Sequence, residues 1–306
     1  MISLYPYFYE QFQCKGAACK KTCCQRWEID IDEDSMDRYR KETGLLGAEL
    51  KSYITCKDGI YSFVLNENGY CHFLKDGLCR LVLAHGEDYL CDICHMHPRF
   101  FKYLADIELC GIGLSCEKSC ELLLAPMPKE IKIHQQNASH WDNQLVFVDE
   151  VGQLYTVTHI MEILGVSVED LEFQYTPTPN VDYYAFILGL LHQTEPIDEG
   201  WTQLTNVMRA EIPKIVEQVF NYIATHDSGY DAIYFNRLFQ YILYRQLDMA
   251  TIYSLESIIS YAHMNTEFIL MRSAITGDYF LETANWSEQI EYDTENVEKL
   301  LQRLDT

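Results

Sequence analysis

The sequence predicts a mainly α protein, built as a small cysteine-rich α+β module followed by an α-helical domain. Three observations predict it. All twelve cysteines of the 306-residue chain lie between Cys14 and Cys120. From Tyr183 onward, apolar residues recur at three- and four-residue intervals, the period of a helix that buries one face. The composition is 48% hydrophobic, so a chain of this length can bury a sizeable core.

In the first module, Trp27 to Asp32 alternates apolar and acidic residues, which suits a short half-buried strand. Asp32 or Asp34 can then cap a helix running through Tyr39. Ile60 to Leu65 reads as a strand, Asn66 to Gly69 as a turn and Tyr70 to Leu74 as a return strand. Strands this short are not expected to build a large sheet. Ala125-Pro126-Met127-Pro128 disfavours a continuing helix, so the domains are placed at 1–128 and 129–306.

In the second domain, Gln144 to Val151 reads as a strand or a linker, and Thr176 to Asn180 breaks regular structure. Helices are predicted over Tyr183 to His192, Leu204 to Thr225, Ala232 to Leu247 and Thr251 to Thr276. Together they can form a bundle with its own core. Tyr222, Phe235, Phe239, Tyr241 and Tyr244 are expected in that core and not in a cofactor box.

The formal charge of −23 opposes attraction to phosphate backbones and argues against a nucleic-acid partner. Residues 126–306 hold 9 basic and 27 acidic side chains, a surface that keeps the protein soluble or attracts a Lys-bearing partner. The first 25 residues lack the features of a secretory signal, and no apolar run approaches the roughly 20 residues a membrane helix needs. A cytoplasmic protein without a membrane partner is the expectation.

In a reducing cytoplasm, cysteines packed into one segment point to metal ligation and not to disulfides. The leading run is Cys14-x4-Cys19-x3-Cys23-Cys24, followed by Cys71-x7-Cys79, Cys91-x2-Cys94 and Cys110-x5-Cys116-x3-Cys120. Thiolates are soft anionic ligands that suit zinc and iron–sulfur clusters. His72, His95 and His97 stand near enough in sequence to join a mixed zinc site. The spacing matches neither a paired zinc ribbon nor a three-cysteine radical S-adenosylmethionine motif. Cys56, Cys110 and Cys120 fit better as small buried apolar residues.

These residues resemble the flagellin lysine-N-methylase (FliB-like) family over Phe12 to Leu124. The likeness rests on Phe12-x-Cys14-x4-Cys19-x3-Cys23-Cys24-x2-Trp27-x-Ile29, then Cys71-x-Phe73-Leu74-x2-Gly77-Leu78-Cys79-Arg80. Cys94-x3-Pro98-Arg99 and Leu114-Ser115-Cys116 continue it, with a weaker echo in Asn236-x4-Tyr241-x3-Arg245. The resemblance implies a protein lysine methyltransferase that uses S-adenosylmethionine and carries an iron–sulfur centre, a 4Fe-4S cluster in preference to zinc. It implies Cys14, Cys19, Cys23, Cys24, Cys71, Cys79, Cys94 and Cys116 as ligands, leaving Cys56, Cys91, Cys110 and Cys120 outside the pattern. Its substrate would be a Lys-rich protein such as flagellin.

No glycine-rich strand-to-helix loop for a methyl donor is visible. Methylation needs a neutral amine, whereas an exposed lysine with a pKa of about 10.4 is protonated at pH 7. Asp30, Asp32, Glu108, His95 and His97 are candidates to take that proton, and Arg99 to hold the donor's carboxylate. A different class of function, a non-enzymatic zinc- or iron-binding interaction module, fits the same cysteines.

Overall fold

The computed structural model describes residues 2–124, 131–141, 144–147, 153–156, 174–225 and 230–305. The described residues form twelve α-helices, one six-stranded sheet and two smaller sheets, so the mainly α class holds.

The large sheet was not expected. Its strands β1 (Ile2–Pro6), β7 (Arg99–Leu104), β8 (Ile107–Ile112) and β9 (Lys132–Trp141) lie in the order β9-β1-β8-β7. Strands β10 (Gln144–Phe147) and β11 (Gln153–Thr156) pair with separate stretches of β9. The β1–β8 pair is parallel and joins residues about a hundred positions apart, a relation no local pattern reveals. Leu4, Tyr5, Leu109 and Ile112 are all buried here. A strand covered on both faces reads as an apolar run without alternation. The 144–151 segment is thus strand over Gln144–Phe147, and its remainder lies outside the described residues.

The small module carries β2 (Asp30–Ile31), β3 (Ile54–Lys57) and β4 (Ile60–Phe63) in the order β2-β4-β3. Helices α1 (Glu33–Lys41) and α2 (Gly44–Tyr53) lie between them in sequence. Asp32 caps α1, accepting the Ser35 amide at 2.7 Å. Tyr70 to Leu74 is not the return strand expected. Tyr70 bridges Gln25 and Cys71 bridges Leu65, while β5 (Leu74–Lys75) and β6 (Leu78–Cys79) make their own hairpin. Asp76 and Gly77, both at positive φ, form its two-residue turn. A Cβ on Gly77 would stand 3.1 Å from Ala17, so the glycine lets this turn approach the N-terminal cysteine loop. Three short helices follow: α3 (Arg80–His85), α4 (Asp92–Met96) and α5 (Glu117–Leu124).

Seven helices make the rest: α6 (Val181–Leu191), α7 (Glu199–Ala210), α8 (Ile212–Thr225), α9 (Tyr230–Arg245), α10 (Leu255–Thr276), α11 (Tyr279–Trp286) and α12 (Thr294–Leu304). The run from Leu204 to Thr225 is two helices and not one, because Pro213 cannot donate into the end of α7 and sits in the first turn of α8. Asn180 and Ser254 cap α6 and α10. Tyr222, Phe235, Phe239, Tyr241 and Tyr244 are buried, as expected. The main core joins these helices to β1, β8 and α5, so it draws on residues both before and after position 128. Residues 125–130, where the domain boundary was placed, lie outside the described residues.

Candidate metal centre and adjoining cavity

The N-terminal cysteine loop has little regular structure and is fixed from outside by α5. Glu117, the first residue of α5, accepts the Lys20 and Lys21 amides at 2.7 and 3.2 Å. The Lys15 ammonium bridges Glu117 and Glu121, each at 2.5 Å. These contacts bring Cys14, Cys19 and Cys23 beside Cys116, the residue before α5. Burial and the charges of Cys116 and Cys14 push the Cys19 thiol up to about 11. The Cys23 thiol is raised by its hydrogen bond to Cys24, by burial and by the same two neighbours. Burial raises the Cys116 thiol, and the amides of Ser119 and Lys118 that it accepts oppose that rise without cancelling it.

A second group forms in the small module. The Cys71 amide donates to the Cys24 carbonyl at 2.9 Å. Cys79 ends the β5–β6 hairpin, and Cys91 and Cys94 flank the start of α4. Burial pushes Cys71 up to about 12, with the charges of Cys24, Cys79 and Cys91 adding to it. Cys79 faces Cys24 and Cys91, and Cys94 faces Cys91, Cys24 and Cys71. Backbone amides again point at sulfur: Phe73 at Cys71, Leu81 and Val82 at Cys79, and Cys94 at Cys91. Cys91, outside the family pattern, therefore belongs with the matching cysteines; its spacing to Cys94 was the available signal. The Cys24 thiol is lowered to about 7 by hydrogen bonds from Cys23 and Thr22, which outweigh its burial.

Among the described residues, no three cysteine, histidine or carboxylate side chains are arranged to hold a metal ion. What fits is the chemistry of the donor set: reduced thiols in two neighbourhoods, several already receiving N–H bonds. Cys110 and Cys120 lie in the main core. Cys56 is exposed on β3, not buried as expected, because it stands on a strand whose outer residues face solvent.

The other candidates are scattered. Asp30 is exposed on β2, and Asp32 is committed to the Ser35 and Asp92 amides. Glu108, buried on β8, accepts from Ser3 Oγ at 2.7 Å and Cys110 Sγ at 3.4 Å. The His72 ring stacks on Tyr53, and His95 lies partly buried on α4. Arg99 lies over the Phe12 ring, 5.2 Å from its centroid. His97 packs edge-on against Trp27, whose indole N–H donates to the Cys23 carbonyl at 2.7 Å. Its Nε2 is buried without a hydrogen-bond partner, and burial with the nearby Arg245 charge lowers its pKa to about 4.

No protein-family model matches the chain, and no solved structure matches it. Curated relatives do. The chain is 29% identical over 126 residues to the lysine-N-methylase of Salmonella choleraesuis strain SC-B67, covering 39% of this chain and 31% of that protein. The lysine-N-methylase of Salmonella typhimurium strain LT2 matches to the same extent. The flagellar biosynthetic protein FliU of Salmonella muenchen is 27% identical over 131 residues, 39% of this chain and 75% of that protein. The match thus spans about a third of the length of the curated lysine-N-methylases.

Beside the N-terminal cysteine loop lies a cavity of about 540 Å³. Lys20, Lys21, Thr22, Gln25 and Arg26, which flank Cys23 and Cys24, form one wall. Helices α7, α10 and α11 supply the other, with Trp201, Phe268 and Trp286 as aromatic surfaces. Charge is paired across it: Lys21 Nζ reaches Asn285 Oδ1 at 2.6 Å and Glu288 Oε2 at 2.9 Å. Arg272 makes two bonds to Glu282 at 2.9 and 3.0 Å. Burial raises the Glu288 pKa, and Lys21 opposes that shift. The indole N–H of Trp201 is buried without an acceptor. Sequence reasoning missed this wall because its residues come from helices that read as ordinary bundle.

Proposed function

We propose that the chain is a cytoplasmic protein lysine N-methyltransferase that uses S-adenosylmethionine and holds an iron–sulfur centre on its N-terminal thiols, with flagellin or another Lys-rich protein as substrate. One observation carries this reading: the loop that bears Cys23 and Cys24 is also a wall of a cavity that already accommodates a lysine ammonium. The likeness to lysine-N-methylases supports the same reaction.

The cavity's chemistry suits both reactants. A donor with an amino-acid end needs a cation for its carboxylate and an anion for its ammonium; Arg272, Lys21 and Glu282 provide both signs. Its purine needs an aromatic or apolar face, which Trp201, Phe268 and Trp286 offer. When bound, the iron–sulfur centre would supply an iron site for the donor, held by thiolates of the loop. Glu288 is the group placed to accept the proton that a substrate ammonium must lose, since burial makes its carboxylate more basic than an exposed one. Asn285 would hold the amine in line without adding charge.

The test is anaerobically isolated protein incubated with methyl-labelled S-adenosylmethionine and a flagellin. Label transferred to lysine, and lost in Cys23→Ser, supports the reading. Absence of transfer from protein with its inorganic centre intact would remove it.

A further inference from the structure

We propose that the cysteine segment holds two separate thiolate centres with different tasks: a buried one that staples the small module, and an outer one on the loop beside the cavity. This rests on the reading above that these thiols bind an inorganic centre, but it does not depend on methyl transfer.

Packing divides the cysteines. Cys71 and Cys91 are buried members of the small core around Tyr39, Phe63 and Phe73, and Cys24, Cys79 and Cys94 pack against that same core. Cys14, Cys19, Cys23 and Cys116 belong to neither core. They gather where the Lys15–Lys21 loop is bound to Glu117 and Glu121. The division falls between adjacent residues. The Cys24 carbonyl takes the Cys71 amide, whereas the Cys23 carbonyl takes the Trp27 indole. The thiols of Cys23 and Cys24 hydrogen-bond to each other, so the two groups adjoin at this pair.

The two groups also differ in what they hold together. The small core has only seven buried apolar side chains besides its cysteines, drawn from short strands and helices. A core of that size is marginal without a cross-link, and a tetrathiolate site supplies one. The Cys91-x2-Cys94 pair with Cys71, Cys79 and Cys24 offers five soft donors for four positions. The outer group has Cys14 exposed and Cys19, Cys23 and Cys116 partly exposed. It contributes to neither core, and its loop supplies Lys20, Lys21, Thr22, Gln25 and Arg26 to the cavity wall.

The test combines metal and sulfide analysis with native-state alkylation mapped by mass spectrometry, on the full chain. Wild-type protein is expected to carry metal for two centres, with Cys19 and Cys23 protected and Cys56 reactive. Cys14→Ser with Cys116→Ser should lose one centre, expose Cys19 and Cys23, and leave Cys71, Cys79 and Cys91 protected with the unfolding midpoint near wild type. Cys71→Ser with Cys79→Ser should lose the other centre and the fold of the small module. Metal for a single centre in wild type, or loss of all metal from the Cys14/Cys116 variant, would overturn the proposal. The outer variant decides the matter even if the inner one does not fold. Failure of methyl transfer with both centres present would instead count against the function alone.

Discussion

The amide of Cys71 donates to the carbonyl of Cys24 at 2.9 Å, tying the N-terminal cysteine loop to the hairpin segment forty-seven residues later. That bond continues the Gln25–Tyr70 bridge and sets Cys24 over the small core. Without a metal, this contact rests on few apolar neighbours. Treatment with a strong chelator should therefore make the 14–100 region cleavable by protease, while α10, with thirteen buried residues, stays resistant. Mapping the cleavage sites checks this.

Glu288 is proposed to take the substrate's proton. Glu288→Gln keeps the shape and removes the base, so methyl transfer should fall about 10²- to 10⁴-fold while donor binding changes little. Single-turnover transfer measured alongside equilibrium donor binding separates the two effects.

Arg245 and Glu291 form a buried pair at 3.3 Å, the arginine side chain 6% exposed and the glutamate fully covered. The guanidinium also lies 4.3 Å from the Phe100 ring centroid and 4.9 Å from that of Tyr292. Glu291 Oε2 accepts the Leu114 amide at 3.1 Å, two residues before Cys116. Arg245→Met leaves that carboxylate buried without its counter-charge, and should cost about 3–5 kcal/mol. Adding Glu291→Leu should recover much of the loss, read as denaturation midpoints of both variants.

His97 gives the stability a pH dependence. Its folded pKa of about 4 is below the ordinary 6.5, so between these values the unfolded chain binds the extra proton. Its contribution is complete above about pH 6.5 and is lost as pH falls toward 4, worth about 3 kcal/mol at most. Denaturation of His97→Asn should show a flatter slope across that window.

Much of this was legible in the sequence because it depends on local spacing. The Asp32 cap, the Asn180 cap and the tyrosines of α9 follow from periodicity and turn chemistry within a few residues. The clustering of Cys14, Cys19, Cys23 and Cys24 is equally local. Long-range pairing was not legible. Strand β1 reads as an unremarkable start to the chain, and only its partners β8 and β9 make it the middle of a sheet. The same holds for the cavity: Glu288 and Asn285 look like polar residues at the end of a helix until Lys21, more than 260 positions earlier, meets them. Cys91 lay between these cases, with a telling spacing to Cys94 but a partner set visible only in three dimensions.

The most direct measurement is iron, acid-labile sulfide and zinc per chain in protein isolated without oxygen. Iron and sulfide in comparable amounts, both lowered but not abolished when Cys23 and Cys116 are replaced by serine, are the expected result. Protein free of iron, sulfide and zinc, with its thiols freely titratable in the folded state, would contradict an inorganic centre on this segment.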